Sequence, residues 1–291
     1  MTGFTQSTDF PTTTGAFQTS NRNASYGNGF VSELNSAGSG LIYSTYLGGS
    51  TPVCCGDQAK DIAVDSVGSA YVTGRAYSTN FATTTGAFQT AGGGSSPDAF
   101  VTKLNPSGSA LVYSTYIGGS NYDNASGISV DSSENAYIVG STFSTDFPTT
   151  ADAFQVKNKG SNGNVFVTVL DTDGAALVYS TYLGGSNSIA QDNGFGIAID
   201  SLEGIYITGQ TGSMDFPISE NALQGSLNGT HRNAFVSKFN LIPTPTPTST
   251  PTAISTPTPT STPTPTATPT LIPGGRISVA PRSVHFSITG I

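Results

Sequence analysis

Three carboxylates recur at one place in an internal pattern. Asp57, Asp123 and Asp192 each stand five residues before the first isoleucine of a β-rich run, at Ile62, Ile128 and Ile197. Carboxylates gathered from equivalent loops could hold a cation, and calcium suits them best because it accepts several oxygens in flexible geometry. They could equally accept hydrogen bonds from the hydroxyls of a polyhydroxy ligand. The same residue at the same spacing also fits a structural task, an Asx turn whose carboxylate takes backbone N–H groups ahead of a strand. Other chemistry is sparse. His231, in Asn228-Gly-Thr-His-Arg232, is the one histidine before residue 240, and a loop composition surrounds it. Cys54 and Cys55 are adjacent and alone, which provides neither a disulfide framework nor the CxxC spacing of a zinc site. Asp171-Thr-Asp-Gly174 opens like a calcium loop but lacks the glutamate of loop position twelve, and it reads as a hairpin turn. The Gly-Gly pairs end β-rich runs and lead into no helix, so they read as turn devices rather than phosphate loops. No catalytic set emerges, and calcium is the one cofactor the pattern suggests.

The elements that position these residues follow from composition and repetition. The 291 residues include 35 Gly, 12 Tyr and 16 Phe, while only 10 % are charged, a balance that favours short strands between tight turns over helices. All 18 acidic residues precede residue 240, and 8 of the 10 basic ones do, since Arg276 and Arg282 lie beyond it. That acidic balance argues against nucleic acid, whose phosphates require a basic face. No run approaches the roughly 20 apolar residues of a membrane helix, so insertion in a membrane is not expected.

Tyr43-Ser-Thr-Tyr-Leu-Gly-Gly-Ser50 returns as Tyr113-Ser-Thr-Tyr-Ile-Gly-Gly-Ser120 and as Tyr179-Ser-Thr-Tyr-Leu-Gly-Gly-Ser186, at steps of 70 and 66 residues. Phe30-Val-Ser-Glu-Leu34, Phe100-Val-Thr-Lys-Leu104, Phe166-Val-Thr-Val-Leu170 and Phe235-Val-Ser-Lys-Phe239 keep the same register. So do Ser7-Thr-Asp-Phe-Pro-Thr-Thr13, Ser78-Thr-Asn-Phe-Ala-Thr-Thr84, Ser144-Thr-Asp-Phe-Pro-Thr-Thr150 and Met214-Asp-Phe-Pro-Ile218. Each unit reads as four short strands, beginning near positions 62, 70, 100 and 111 in the second unit, with polar turns between them. Alternation places Leu111, Tyr113, Thr115 and Ile117 on one face and Val112, Ser114 and Tyr116 on the other. Both faces are partly apolar, as sheets stacked between neighbours require. The expected fold is therefore all-β, in four-stranded units of about 66–71 residues that suit the blades of a β-propeller or an all-β solenoid.

Gly127-Ile-Ser-Val-Asp131, Asn135-Ala-Tyr-Ile-Val-Gly140, Thr145-Asp-Phe-Pro-Thr-Thr150, Ala99-Phe-Val-Thr-Lys-Leu-Asn105 and the Tyr-Ser-Thr-Tyr-Leu-Gly-Gly segment together resemble the bacterial seven-bladed β-propeller repeat family, SBBP, over residues 2–240. The resemblance implies a propeller in a secreted or envelope-associated protein, and it supplies no catalytic residues. Thr2-Gly3 aligns with the end of a second strand, and residue 240 falls before a fourth. Counting from there gives thirteen strands, two whole blades flanked by two incomplete ones, so the expectation is a fragment of a longer reading frame whose signal peptide lies outside this chain, the alternative being partial ends that meet each other or another chain. Residues 241–273 form a Pro/Thr-rich extended linker, and 274–291, opening with Arg276-Ile-Ser-Val-Ala, resemble the start of a truncated immunoglobulin-like surface module.

These readings lead to one expectation and one alternative. The expectation is a non-enzymatic binding or display scaffold, secreted or at the cell surface, whose partner is an extracellular carbohydrate or protein. Its open propeller edges invite self-association. The alternative is part of a secreted propeller enzyme acting on polysaccharide, with its catalytic residues elsewhere. The proposed site is Asp57, Asp123 and Asp192, placed by equivalent loops on one side of the propeller.

Overall fold

A computed structural model of the chain describes residues 1–50, 55–186, 190–227, 232–242 and 283–286. Cys54, His231, Asn228 and the stretch 243–273 lie outside the described residues. Everything described is strand, turn or coil, with no helix. The first sheet holds β1 (Thr2–Thr5), β2 (Asn28–Leu34) and β3 (Leu41–Leu47). The second holds β4 (Gln58–Val64), β5 (Ala70–Ala76), β6 (Asp98–Leu104) and β7 (Leu111–Ile117). The third holds β8 (Asp123–Val130), β9 (Ala136–Thr142), β10 (Asn164–Leu170) and β11 (Leu177–Leu183). The fourth holds β12 (Asn193–Ile199), β13 (Gly204–Thr211) and β14 (Asn233–Ile242), with β15 (Ser283–Phe286) on its outer edge. Every pairing is antiparallel between sequence neighbours, the meander of a propeller blade. The chain is an all-β partial propeller with two whole blades and an incomplete one at each end.

One strand count differs from the sequence reading. The first blade has three strands, because Thr2 to Thr5 pair with Val31 to Asn28, and the terminal amine donates to Ser32 O at 2.8 Å. The repeats therefore contribute fourteen strands rather than thirteen. Of the segment read as opening a second module, Ser283–Phe286 is described, paired with residues 242 to 239 of β14.

The blades face one another through apolar layers, because both faces of each sheet are covered. Val31, Tyr43 and Leu47 of the first blade meet Val72, Phe100 and Tyr116 of the second. Val101, Tyr113 and Ile117 of the second meet Ile128, Ile138 and Phe166 of the third. Val139, Val167 and Leu183 of the third meet Ile205, Ile207 and Phe239 of the fourth. β4 packs on β8, and β8 on β12, so the first strand of each whole blade lies innermost. Within each blade the aspartate–phenylalanine loop folds back over the third and fourth strands. There Phe147 stacks on Phe166 at 4.6 Å, and Tyr182 Oη donates to Ser144 O and accepts from Phe147 N, both at 2.9 Å.

Candidate functional site

The three predicted carboxylates sit at the seams where one blade passes the chain to the next, just ahead of β4, at the start of β8 and just ahead of β12. All are essentially unexposed, at 0 %, 0 % and 1 %. Asp57 accepts from Gly49 N at 2.7 Å, Tyr77 N at 2.7 Å and Ser78 N at 2.8 Å. Asp123 accepts from Gly119 N at 2.8 Å and Ser144 Oγ at 2.9 Å. Asp192 accepts from Gly185 N, Ser213 Oγ, Thr211 Oγ1 and Gly212 N at 2.7–3.2 Å. Each carboxylate thus ties the Gly-Gly end of the preceding blade's outermost strand to the loop after the second strand of its own blade. They are three copies of one joint, one per seam. Among the described residues no group of three or more His, Cys, Asp or Glu is placed to hold a metal ion.

The joint also explains the glycine pairs, and here the sequence reading needs correction. None of Gly48, Gly49, Gly118, Gly119, Gly184 or Gly185 has a positive φ, so these glycines are not turn devices. They are there because a side chain has no room. A Cβ on Gly49, Gly119 or Gly185 would come within 2.4 Å of Asn80, Asp146 or Asp215, whose side chains accept from the following serine N–H at 2.8–2.9 Å. Those N–H groups hold the carboxyls of Asp146 and Asp215 below the usual carboxylate range. Asp171 in its turn accepts from Ala175 N at 2.7 Å, the hairpin geometry its sequence suggested.

One seam departs from the others. The first residue of the third strand is Asn28, Asp98, Asn164 and Asn233 in successive blades. Asn28 and Asn164 each donate Nδ2 to a Gly-Gly carbonyl at 3.0 Å, and Asn164 Nδ2 also reaches Asp192 at 3.4 Å. Asp98 has no such donor when ionised. It lies buried beside Asp123, and Asp98 Oδ1 and Asp123 Oδ1 are both buried without a hydrogen-bond partner. Burial first, then the neighbouring Asp123 and Asp146 charges, push Asp98 up to about 7. Burial also raises Asp123, to about 6, against hydrogen bonds from Thr142, Gly119, Ser144 and Asp98 that favour its charge. Two buried carboxyls therefore face each other at this seam, and Asp98 is raised further than Asp123.

The open part of the third seam is not acidic. A recess of about 480 Å³ lies between the third and fourth blades, lined by Tyr122, Asn124, Ser141, Phe143, Gln191 and Asn193. Tyr122 and Phe143 meet edge to face at 5.8 Å, and the Tyr122 hydroxyl is held by the Arg75 guanidinium. Ser141 donates to Asn193 at 2.8 Å, whereas Asn124 Oδ1 is buried with no partner.

The seams repeat because the units do, and the units themselves match a known repeat at three places. Residues 42–82, 112–148 and 178–217 match the beta-propeller repeat SBBP. Among curated proteins none matches the chain. Each SBBP match starts in an outermost strand and ends in the aspartate–phenylalanine loop of the next blade, so each contains one complete seam. The recess went unread in the sequence because it joins residues of two units, among them Tyr122, whose position changes from unit to unit. Tyr122 stands where the first seam has Gly56, and the repeat pattern gives no weight to a position that changes from unit to unit. The only signal was the amide and aromatic residues crowded into 121–124 beside Asp123.

Proposed function

We propose that the chain is a non-enzymatic extracellular binding scaffold, secreted or displayed at the cell surface, and that its ligand is a neutral carbohydrate seated in the recess between β8, β9 and β12. The observation that carries this reading is the lining itself. Two aromatic rings offer faces for sugar C–H groups, and amide side chains with the Ser141 hydroxyl offer donors and acceptors for ring hydroxyls, one of them the buried, unpartnered Asn124 Oδ1. No carboxylate lines the recess, and glycoside cleavage by the usual route requires two flanking the scissile bond. The carboxylates of the seams are buried and already accept structural hydrogen bonds, which further favours binding over hydrolysis.

A glycan array probed with the full chain tests this. Wild type should bind a restricted set of neutral oligosaccharides, and Tyr122→Ala with Asn193→Ala should abolish the signal while leaving the thermal midpoint within a few degrees. Binding unaffected by both substitutions, or selective capture of polypeptide ligands instead, would remove the carbohydrate reading.

A further inference from the structure

Among the described residues, the outer edge of the fourth blade is covered only in part, and the occupant of the rest can be read from the other three. In those blades one serine of the fourth strand makes two side-chain ties. Ser44, Ser114 and Ser180 each pair Oγ with the hydroxyl of Ser32, Thr102 or Thr168 on the third strand, at 2.8–3.0 Å. Each also donates its backbone N–H to Thr13, Thr84 or Thr150 Oγ1 of the aspartate–phenylalanine loop, at 3.0–3.1 Å. The matching residues of the fourth blade are Ser237 and Ser219. Both hydroxyl oxygens are buried, and neither has a partner. Ser237 as a whole is 1 % exposed. One absent serine accounts for both orphans.

The apolar side of the slot gives the same answer. Val31, Val101 and Val167 are 0 % exposed beneath their fourth strands, whereas Val236 is 45 % exposed. Phe216 and Phe235 pair at 4.7 Å as their counterparts do, and beside them lies a groove of about 250 Å³ reaching Ile218, Leu223 and Val236. In the complete blades a tyrosine ring, Tyr46, Tyr116 or Tyr182, fills the corresponding place 5.9–6.0 Å from the loop phenylalanine. β15 covers this edge only at residues 239–242 and leaves 233–238 without a strand neighbour among the described residues.

We propose that this edge of β14 receives, by strand addition, an extended segment of the type Tyr-Ser-Thr-Tyr-Leu-Gly-Gly supplied by another polypeptide. In the register of β10 with β11, its first tyrosine lies opposite Lys238, its serine opposite Ser237, its threonine opposite Val236 and its second tyrosine opposite Phe235. The serine satisfies Ser237 and Ser219 together, the second tyrosine fills the groove beside Phe216, and Val236 is covered. The chain's own last residues are a poorer fit, since continuing β15 along β14 with the bulge of β10 and β11 would set Thr289 opposite Ser237 but Gly290 opposite Val236 and Ile291 opposite Phe235, with no tyrosine for the groove beside Phe216.

The test titrates a labelled synthetic peptide of residues 177–186 into the full chain, read by fluorescence anisotropy. Saturable binding is expected, weakened at least tenfold by Val236→Arg in the protein or by alanine at the Ser180 position of the peptide. Bound peptide should slow amide exchange in β14 and leave β10 unchanged. Ser237→Ala, which adds no bulk, serves as the second protein variant and should weaken binding severalfold. Three results would overturn the proposal: no saturable binding to the full chain, equal binding by the variants, or binding only after residues 283–291 are removed, which would mean that the chain's own tail fills the edge.

Discussion

At the scale of single residues, the carboxylates of this chain serve architecture first. Asp57, Asp123 and Asp192 convert the flexible passage between blades into a fixed joint, because each gathers several donors that would otherwise be buried unpaired. Asp98 is the exception with a measurable consequence. Its pKa in the folded chain, about 7, lies above the value near 3.9 of an unfolded aspartate, so between those values the folded state binds more protons. Stability at this joint is therefore fully present below about pH 4 and is lost as pH rises through about 7. Asp98→Asn supplies the amide that Asn28 and Asn164 already use, and it removes the need for the proton. Urea midpoints should show the variant more stable than wild type at pH 8, by about 1–2 kcal/mol, with the advantage shrinking toward pH 5. A variant less stable than wild type at pH 8 would contradict the burial of an ionised Asp98 as the cost at this joint.

At the scale of strands and blades, each sheet depends on what covers it. The same valine recurs in the third strand of all four blades, yet its surroundings differ between a buried Val167 and a half-exposed Val236. Val167→Ala should cost about 2 kcal/mol, the value of a buried branched side chain, and Val236→Ala less than about 0.5 kcal/mol, as chemical denaturation of each variant will measure. Equal costs would mean that the fourth blade is closed. The strands themselves were legible in the sequence because the turn residues, the alternation and the repeat all point to one fold. β1 was missed as a strand because only its end aligns with another unit, while its pairing with β2 depends on backbone groups that carry no sequence signature. The glycine pairs were misread for a related reason: the side chains that exclude a Cβ come from a loop some 30 residues away.

At the scale of the whole molecule, repetition builds the frame, and positions that vary between units line the recess we propose as the binding surface. The aspartates were found because they recur, and their recurrence marks seams. The recess of Tyr122, Phe143 and Asn193 was passed over because the ring of Tyr122 stands where the neighbouring seams have Gly56 and Gln191, and a reading based on periodicity gives such a position no weight. The partial propeller thus holds a polar and aromatic cavity at one seam, with the neighbouring acids sequestered. Binding without cleavage is the central claim of this account. Calorimetric titration of the full chain with an oligosaccharide selected on the array, followed by assay of the same samples for new reducing ends, tests it directly. The account predicts saturable heat that Tyr122→Ala abolishes and no reducing ends after prolonged incubation. Release of reducing ends by wild type, lost on substitution of a seam carboxylate such as Asp123→Asn, would contradict it.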